Sequence, residues 1–600
     1  MERIGRMDVL CADFNREFEE VRLRVKGNRV YFWLSLASAV DTPEKQESCR
    51  LADVRFERNG HDWQTEVLWQ SSVWDEKKHI YRFQNNRLEH WIIVKGKGNI
   101  SALTYLSGTV GNRERGSVPG FGAVYLACPN FLDKTFVHPS DYAANSVGNV
   151  TELWGSALNS GPLMFAFGEF GQEGWISAAL HVRPGEYGFQ TMAWNKKRPN
   201  AMKEQDHILS PQAISLDYPG CVRVDGVWTS PKLVFCAAKN PETCLREYCD
   251  DLRRAELVPV SSAQTHAWWR EPIFCTWHEQ CALAQMAGGG GPDGKDPRED
   301  GPLSFQQCTQ ANISRWLETL ETQGIKPGTI IIDAMWQKDL AGNHVDVEKF
   351  PDLRGFIEDR HRKGQHVLLW MSAWQTEGLP AEWCVLREGK PVMADPTHPA
   401  YRNFVQEMLK RMLGDGPGSY GADGLKIDGT SVMPEGPGLK SLGDLYGFEL
   451  LRAYFRLVYD SAKTAKHDAL ISIYGANPYF NDCCDMVRVG DLYTVRGDPL
   501  YALSWRAMVF NAALPGKPID TDGCFWFDIV EGIEEVLERQ VATGVPCLYQ
   551  AENLVQRRAF LPNRIRKFTP QDYGAIRKAW EKYRQRLQPS HSSGQVHGGL

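Results

Sequence analysis

The period of the apolar positions changes partway along the chain. Over about the first 255 residues the apolar runs are short and rich in β-branched and aromatic side chains. Examples are Val30-Tyr31-Phe32-Trp33-Leu34, Trp91-Ile92-Ile93-Val94 and KLVFCAA (232–238). Gly, Asn or Pro lies close to each run, and long amphipathic helical periods are scarce. This pattern predicts antiparallel strands packed as a large sandwich. From Pro241, PETCLREYCDDLRRAELVP predicts a helix and then a linker, with Pro259 and Ser261-Ser262 marking a boundary.

From about Pro272 the rhythm is different. Eight short apolar runs follow: IFCTW (273–277), TIIID (329–333), HVLLWMS (366–372), GLKID (424–428), LISIYG (470–475), MVRVGD (486–491), KPIDTD (517–522) and PCLYQ (546–550). Between them lie helical patterns such as ISRWLETLETQG, YRNFVQEMLKRML and FELLRAYFRLVYDSAK. Continuous apolar strands separated by amphipathic helices are the mark of parallel strands covered on both faces. Eight such units predict a (β/α)₈ TIM barrel. The expected fold class is therefore α/β. A large N-terminal antiparallel β-sandwich domain (1–258) precedes a barrel with a C-terminal helix (266–588), and a disordered tail (589–600) follows. The Gly/Pro/charge insert at 288–302 predicts a loop after the first strand. TPQDYGAIRKAWEKYRQRL predicts a final helix capped by its Thr. No strand-rich segment follows the barrel, so no C-terminal β-domain is expected.

Composition narrows the function. The chain has 600 residues, 42% of them apolar and 24% charged, which is ordinary for a globular protein. Its net charge is −6, with no basic excess to grip a phosphate backbone, so nucleic acid is not an expected partner. No window approaches a membrane span, and the first twenty residues hold no secretory-type apolar core, so a cytoplasmic location without membrane attachment is expected. Fifteen Cys without zinc-site spacing predict reduced thiols and no metal site. Twenty Trp offer flat faces suited to sugar rings as well as core filling. No nucleophile elbow, phosphate loop or dinucleotide fingerprint is present. His278 and His366 lie one to a strand, which makes no metal cluster.

Chemistry is expected where the barrel strands end, because all eight C-termini open onto one face. Four of the eight runs end in or near an Asp: Asp333, Asp428, Asp491 and Asp520. A carboxylate at a core strand end is costly unless it faces a polar cavity. In GADGLKIDG (421–429), Lys426 and Asp428 stand at i and i+2, on one side of a strand. A Lys there would hold the Asp ionised, as a nucleophile must be, although a purely structural pair accounts for the spacing equally well. Asp491 ends the sixth run, three residues after Arg488, and Asp498 follows in a loop before Pro499. Carboxylates from the fourth and sixth strands can face each other across the mouth, as retaining glycosidases require.

These segments resemble the clan of retaining α-glycosidases that contains melibiase-type α-galactosidases, raffinose synthases of family 36 and, more distantly, family 31 α-glucosidases. FCTWHEQ (274–280) resembles the tryptophan-bearing first strand. IIIDAMWQ (330–337) resembles the IIDDGWQ strand, and KFPDLRGFIEDRHRKG (349–364) the helix after it. ADPTHPAYRNF (394–404) resembles a D-P-T-N-P segment, GADGLKIDG the nucleophile strand, and VRVGD (487–491) the R-x-S-D strand of the acid/base. The likeness runs from Pro272 to about Pro562.

The resemblance implies Asp428 as nucleophile and Asp491 as acid/base, with Asp498 the alternative acid. It implies that Asp333 and Trp336 contact hydroxyls of the terminal sugar, that Lys426 donates to one, and that Arg488 donates near the acid/base. Trp277 and Trp370 are implied as apolar walls. Asp520 and Asp522, at the seventh strand end, either bind sugar or cap the following loop. The pattern's second Asp is Ala334 here, which leaves the sugar unfixed, and its Ser is Gly490, which leaves Asp498 open as the acid.

The function expected is a retaining exo-α-glycosidase that hydrolyses a terminal α-linked hexose, galactose before glucose, with an oligosaccharide or glycoside as its partner. An α-glucosidase or a transglycosylase would use the same residues. A non-catalytic carbohydrate-binding protein is the alternative from another class. The double displacement requires no cofactor, and a homo-oligomer is left open.

Overall fold

The computed structural model describes residues 10–15, 20–26, 31–36, 38–110, 123–126, 136–137, 146–147, 162–168, 173–194, 210–261, 264–288, 303–430, 438–490, 499–523, 533–558 and 561–588. The N-terminal part is a β-sandwich of antiparallel strands from Leu10 to Ala238. The strand Asp62–Ser71 shows why this sequence makes sheet. Trp63, Thr65, Val67 and Trp69 are buried while the residues between them are not, which is the period-two pattern of a half-buried strand. Strand Glu76–Gln84 returns as Arg87–Val110 through Asn85 and Asn86, at φ 53° and 58°. Two left-handed residues are what a tight hairpin needs, and Asn tolerates them. The 24-residue strand Arg87–Val110 and the 20-residue strand Ser210–Thr229 pair along most of their lengths and form the spine of the sandwich.

Helix α1 (Pro241–Arg254) leaves the sandwich, capped by Asn240, whose side chain accepts from the Thr243 N–H at 2.8 Å. Eight parallel strands follow: β1 (Ile273–Cys275), β2 (Thr329–Ile332), β3 (His366–Ser372), β4 (Gly424–Asp428), β5 (Leu470–Tyr474), β6 (Met486–Arg488), β7 (Ile519–Asp520) and β8 (Cys547–Leu548). Each of β1 to β6 pairs with the next in order, and β8 pairs with β1. The bridge between Asp520 and Val545 joins the two ends into a ring. Around it lie α2 (Trp277–Met286), α3 (Gln310–Thr322), α4 (Leu353–Arg362), α5 (Pro399–Leu413), α6 (Gly447–Ala465), α7 (Pro499–Ala513), α8 (Ile533–Thr543) and α9 (Pro570–Leu587). The final helix has the expected cap: Thr569 and Asp572 each bond the other's backbone N–H.

Three expectations need correction. The first strand stops at Cys275, because Trp277 opens α2. Between β5 and β6 only the 3₁₀ turn Pro478–Phe480 intervenes, too short for a covering helix. A hairpin, Asn553–Arg558 with Leu561–Lys567, follows β8. Its many Arg residues break the apolar alternation by which strands were recognised. No disulfide forms among the described cysteines. No described helix is long and apolar enough to cross a membrane. The insert at 289–302 and the tail at 589–600 lie outside the described residues.

Candidate active site

The C-terminal ends of the strands gather charged side chains in the barrel mouth. Asp428 ends β4. Its Oδ1 accepts from the Gly429 N–H at 2.9 Å, and its Oδ2 accepts from the Trp370 indole N–H at 3.1 Å. The Arg488 guanidinium, from β6, stands 3.6 Å from Oδ2. These partners fix the carboxylate in one orientation while leaving its side chain 27% exposed.

Lys426 does not pair with Asp428 as the spacing suggested. Its Nζ lies 2.5 Å from Asp333 Oδ2. A strand rises roughly 3.3 Å per residue, so Lys426 sits one layer deeper than Asp428 and reaches across the interior to β2 instead. Burial and the nearby Arg488 oppose its charge, but Asp333, Cys275 and Asp428 outweigh them and hold its pKa above the ordinary Lys value. Burial raises the Asp333 pKa, yet Lys426, the Ala334 N–H (2.8 Å) and the Cys275 thiol (3.1 Å) bring it below the usual carboxylate range.

Arg488 is the hub. Its Nη1 donates to Asp522 Oδ2 at 2.8 Å, and its guanidinium lies over the Tyr474 ring, 3.3 Å from the centroid. Asp522 holds this place at φ 47°. The two carboxylates at the end of β7 therefore divide their work. Asp522 grips Arg488, while Asp520 accepts from the Asp522 N–H at 2.9 Å and so caps the turn. Burial and the neighbouring Asp522 push the Asp520 carboxyl up to about 6.

The tryptophans lie at different depths. Trp336 is fully buried, and its N–H donates to the Trp370 carbonyl at 2.9 Å. Trp370 is more than an apolar wall, since its N–H holds Asp428. Trp277 is half-buried at the start of α2 and meets Phe305 at 6.1 Å. Asp491 and Asp498 lie outside the described residues.

Sequence reasoning missed Tyr549. Its hydroxyl accepts from Lys426 Nζ and from Arg488 Nη1, each at 3.4 Å. Cys547 and Tyr549 stand at i and i+2 in PCLYQ, and that alternation was the available signal. Gln550, the next residue, donates to His278 Nδ1 at 2.8 Å, and burial pushes the His278 pKa down to about 3, which keeps the ring neutral. Among the described residues no group of His, Cys, Asp and Glu is arranged to hold a metal ion.

No protein-family model and no curated protein matches the sequence. Solved structures do match its shape. The GH36 α-galactosidase AgaB from Geobacillus stearothermophilus aligns over 96% of this chain and 86% of its own, with 11% identity and a TM-score of 0.50. The α-galactosidase TtGalA from Thermus thermophilus, in complex with stachyose, aligns over 84% and 99%, with 13% identity and a TM-score of 0.50. A cycloalternan-degrading enzyme from Trueperella pyogenes, in complex with a covalent intermediate, aligns over 92% and 82%, with 12% identity and a TM-score of 0.51. The chain thus has the fold of GH36-type α-galactosidases and related glycoside hydrolases, an antiparallel β-sandwich followed by a TIM barrel.

Proposed function

We propose that this protein is a retaining exo-α-glycosidase of the GH36-type clan. It takes a terminal α-linked hexose, galactose first, from an oligosaccharide or glycoside. The observation that carries the reading is the Asp428 carboxylate. Among the described charged groups in the barrel mouth it is the most open, 27% exposed against 4% for Lys426 and Asp333 and 1% for Arg488, and the N–H groups of Trp370, on neighbouring β3, and of Gly429 aim it.

In the first step an Asp428 oxygen attacks the anomeric carbon while a protonated carboxyl gives its proton to the leaving oxygen. Asp491 takes that part, with Asp498 as the alternative. In the second step the same group removes a proton from water, which attacks the glycosyl–Asp428 ester and releases the sugar with its anomeric configuration kept. Lys426, Asp333, Arg488 and Asp522 form the charged floor on which the sugar hydroxyls rest, and Trp370 steadies the nucleophile. The covalent intermediate seen in the Trueperella enzyme fits this chemistry.

Glucose is the second reading. Ala334 stands where the resembling α-galactosidase strand has its second Asp, and the Trueperella protein is named for degrading cycloalternan. Transfer to an acceptor sugar uses the same intermediate. The test is a panel of aryl α-glycosides with NMR of the first-formed anomer, with and without acceptor, on the wild type and Asp428→Ala. An inverted product, or turnover that survives Asp428→Ala, overturns the proposal. Sugar binding without turnover would leave the non-catalytic alternative.

A further inference from the structure

The ring of strands is weakest at its seam. β1 and β8 share two residue pairs, and β7 meets the last segment through the single bridge at Asp520 and Val545. A buried carboxylate spans this seam. Glu279, in the first turn of α2, is fully buried, and its Oε1 accepts from three successive backbone N–H groups: Ala551 at 2.6 Å, Glu552 at 2.6 Å and Asn553 at 2.8 Å. Its Oε2 accepts from Asn553 Nδ2 at 2.6 Å. One residue earlier, His278 takes the Gln550 amide and packs edge-on against Tyr549, with ring centroids 5.3 Å apart. The segment from Tyr549 to Asn553 is thus clamped to the start of α2.

Tyr549 carries the effect inward. Its oxygen accepts from Lys426 and Arg488, two cations that repel each other across the buried floor. A shared acceptor lowers that repulsion and sets the distance between them. Through Lys426 it bears on Asp333, and through Arg488 on Asp522 and the Asp428 carboxylate.

We infer that Glu279 is a positioning residue for the reaction. It holds the 551–553 backbone so that Tyr549 spaces Lys426 and Arg488 beneath Asp428. The inference rests on the glycosidase reading for its catalytic consequence, while the coupling itself is a property of the fold.

The test is a double-mutant cycle on Glu279→Ala and Tyr549→Phe, read in kcat/KM on the aryl α-glycoside that the wild type turns over and in unfolding midpoint. Each single change should lower kcat/KM by about 10- to 100-fold, the cost of a small misplacement near the chemistry, and should move the pH profile. The double variant should be little worse than either single one. Glu279→Gln should stay close to wild type. Its amide oxygen can keep the three backbone N–H groups, and Asn553 can turn its buried Oδ1, which has no hydrogen-bond partner here, toward the new NH₂. Additive losses in kcat/KM, or a Glu279→Gln variant as impaired as Glu279→Ala, overturn the inference. A wild type inactive on every glycoside overturns the glycosidase reading instead. The unfolding midpoints then decide the coupling alone: a double variant less destabilised than the two single effects together upholds it, and additivity defeats it. If Glu279→Ala does not fold, the cycle is run with Glu279→Gln/Asn553→Ala, which removes the rescue.

Discussion

Lys426 is ion-paired with Asp333, on a strand two places away, and not with Asp428 on its own strand. The pair is buried on both sides, at 4% exposure each. Removing one partner leaves a buried charge without its counterion, which costs about 3–5 kcal/mol. Lys426→Met and Asp333→Asn should therefore each lower stability in urea unfolding, with Lys426→Met the worse because it leaves a buried carboxylate with only the Ala334 N–H and the Cys275 thiol as partners among the described residues. The double change Lys426→Met/Asp333→Asn should recover part of the loss. A double variant as unstable as the two single losses together would show that the pair is not coupled.

Asp428 carries the second prediction. If it forms the glycosyl ester, Asp428→Ala should lower kcat by roughly 10⁴-fold or more on an aryl α-glycoside, with little change in unfolding midpoint. The space left beside the anomeric carbon can admit a small anion. Azide should then restore release of the aryl group and yield a glycosyl azide of the β configuration, since it attacks from the side the carboxylate used. Recovery of an α-azide, or no recovery with a good leaving group, would count against Asp428 as the attacking group.

Asp520 gives a pH dependence with a definite sign. Its pKa in the fold is about 6, raised by burial and by Asp522, against roughly 3.9 in an unfolded chain. A raised carboxyl favours the folded state only while protonated. That stability is fully present below the unfolded value and is lost as pH rises through about 6. Asp520→Asn keeps the oxygen that caps Asp522 and removes the charge. The variant should match the wild type at pH near 4 and exceed it at pH 7.5, by on the order of 2 kcal/mol. Urea unfolding at the two pH values checks this; an equal effect at both would show that ionisation of Asp520 is not what matters.

The barrel was legible because parallel strands buried on both faces spell themselves as continuous apolar runs, and TIIID and HVLLWMS could hardly be anything else. Strand alternation also placed Lys426 and Asp428 on the interior side. What it could not supply is which residue lies across the barrel, since Asp333 and Lys426 are 93 residues apart and meet only after the ring closes. The same holds for Glu279, whose partners lie 272 to 274 residues away. Tyr549 was missed because β8 is two residues long and gives almost no periodic signal. The hairpin after it was missed because its pairing rests on the backbone, which sequence period does not report.

The last prediction concerns how the sandwich meets the barrel. Gly447 opens α6 at φ +56°, and a Cβ there would fall 2.1 Å from the Phe189 carbonyl oxygen. Around this contact the Phe448 N–H donates to the same carbonyl at 3.1 Å, and the Glu449 carboxylate accepts from the Gly185 N–H at 2.6 Å. Tyr187 and Tyr479 pack edge to face 4.8 Å apart. Only glycine satisfies both the left-handed backbone and the close approach. Gly447→Ala must either push Phe189 away or unwind the start of α6, and either course breaks these bonds together. The expected cost is about 2 kcal/mol or more, seen as a lower midpoint in calorimetry. The companion change Tyr479→Phe removes only the hydroxyl that accepts from the Val182 N–H, so its effect should be smaller. A Gly447→Ala protein that melts like the wild type would mean that the two parts of the chain do not press together at Phe189.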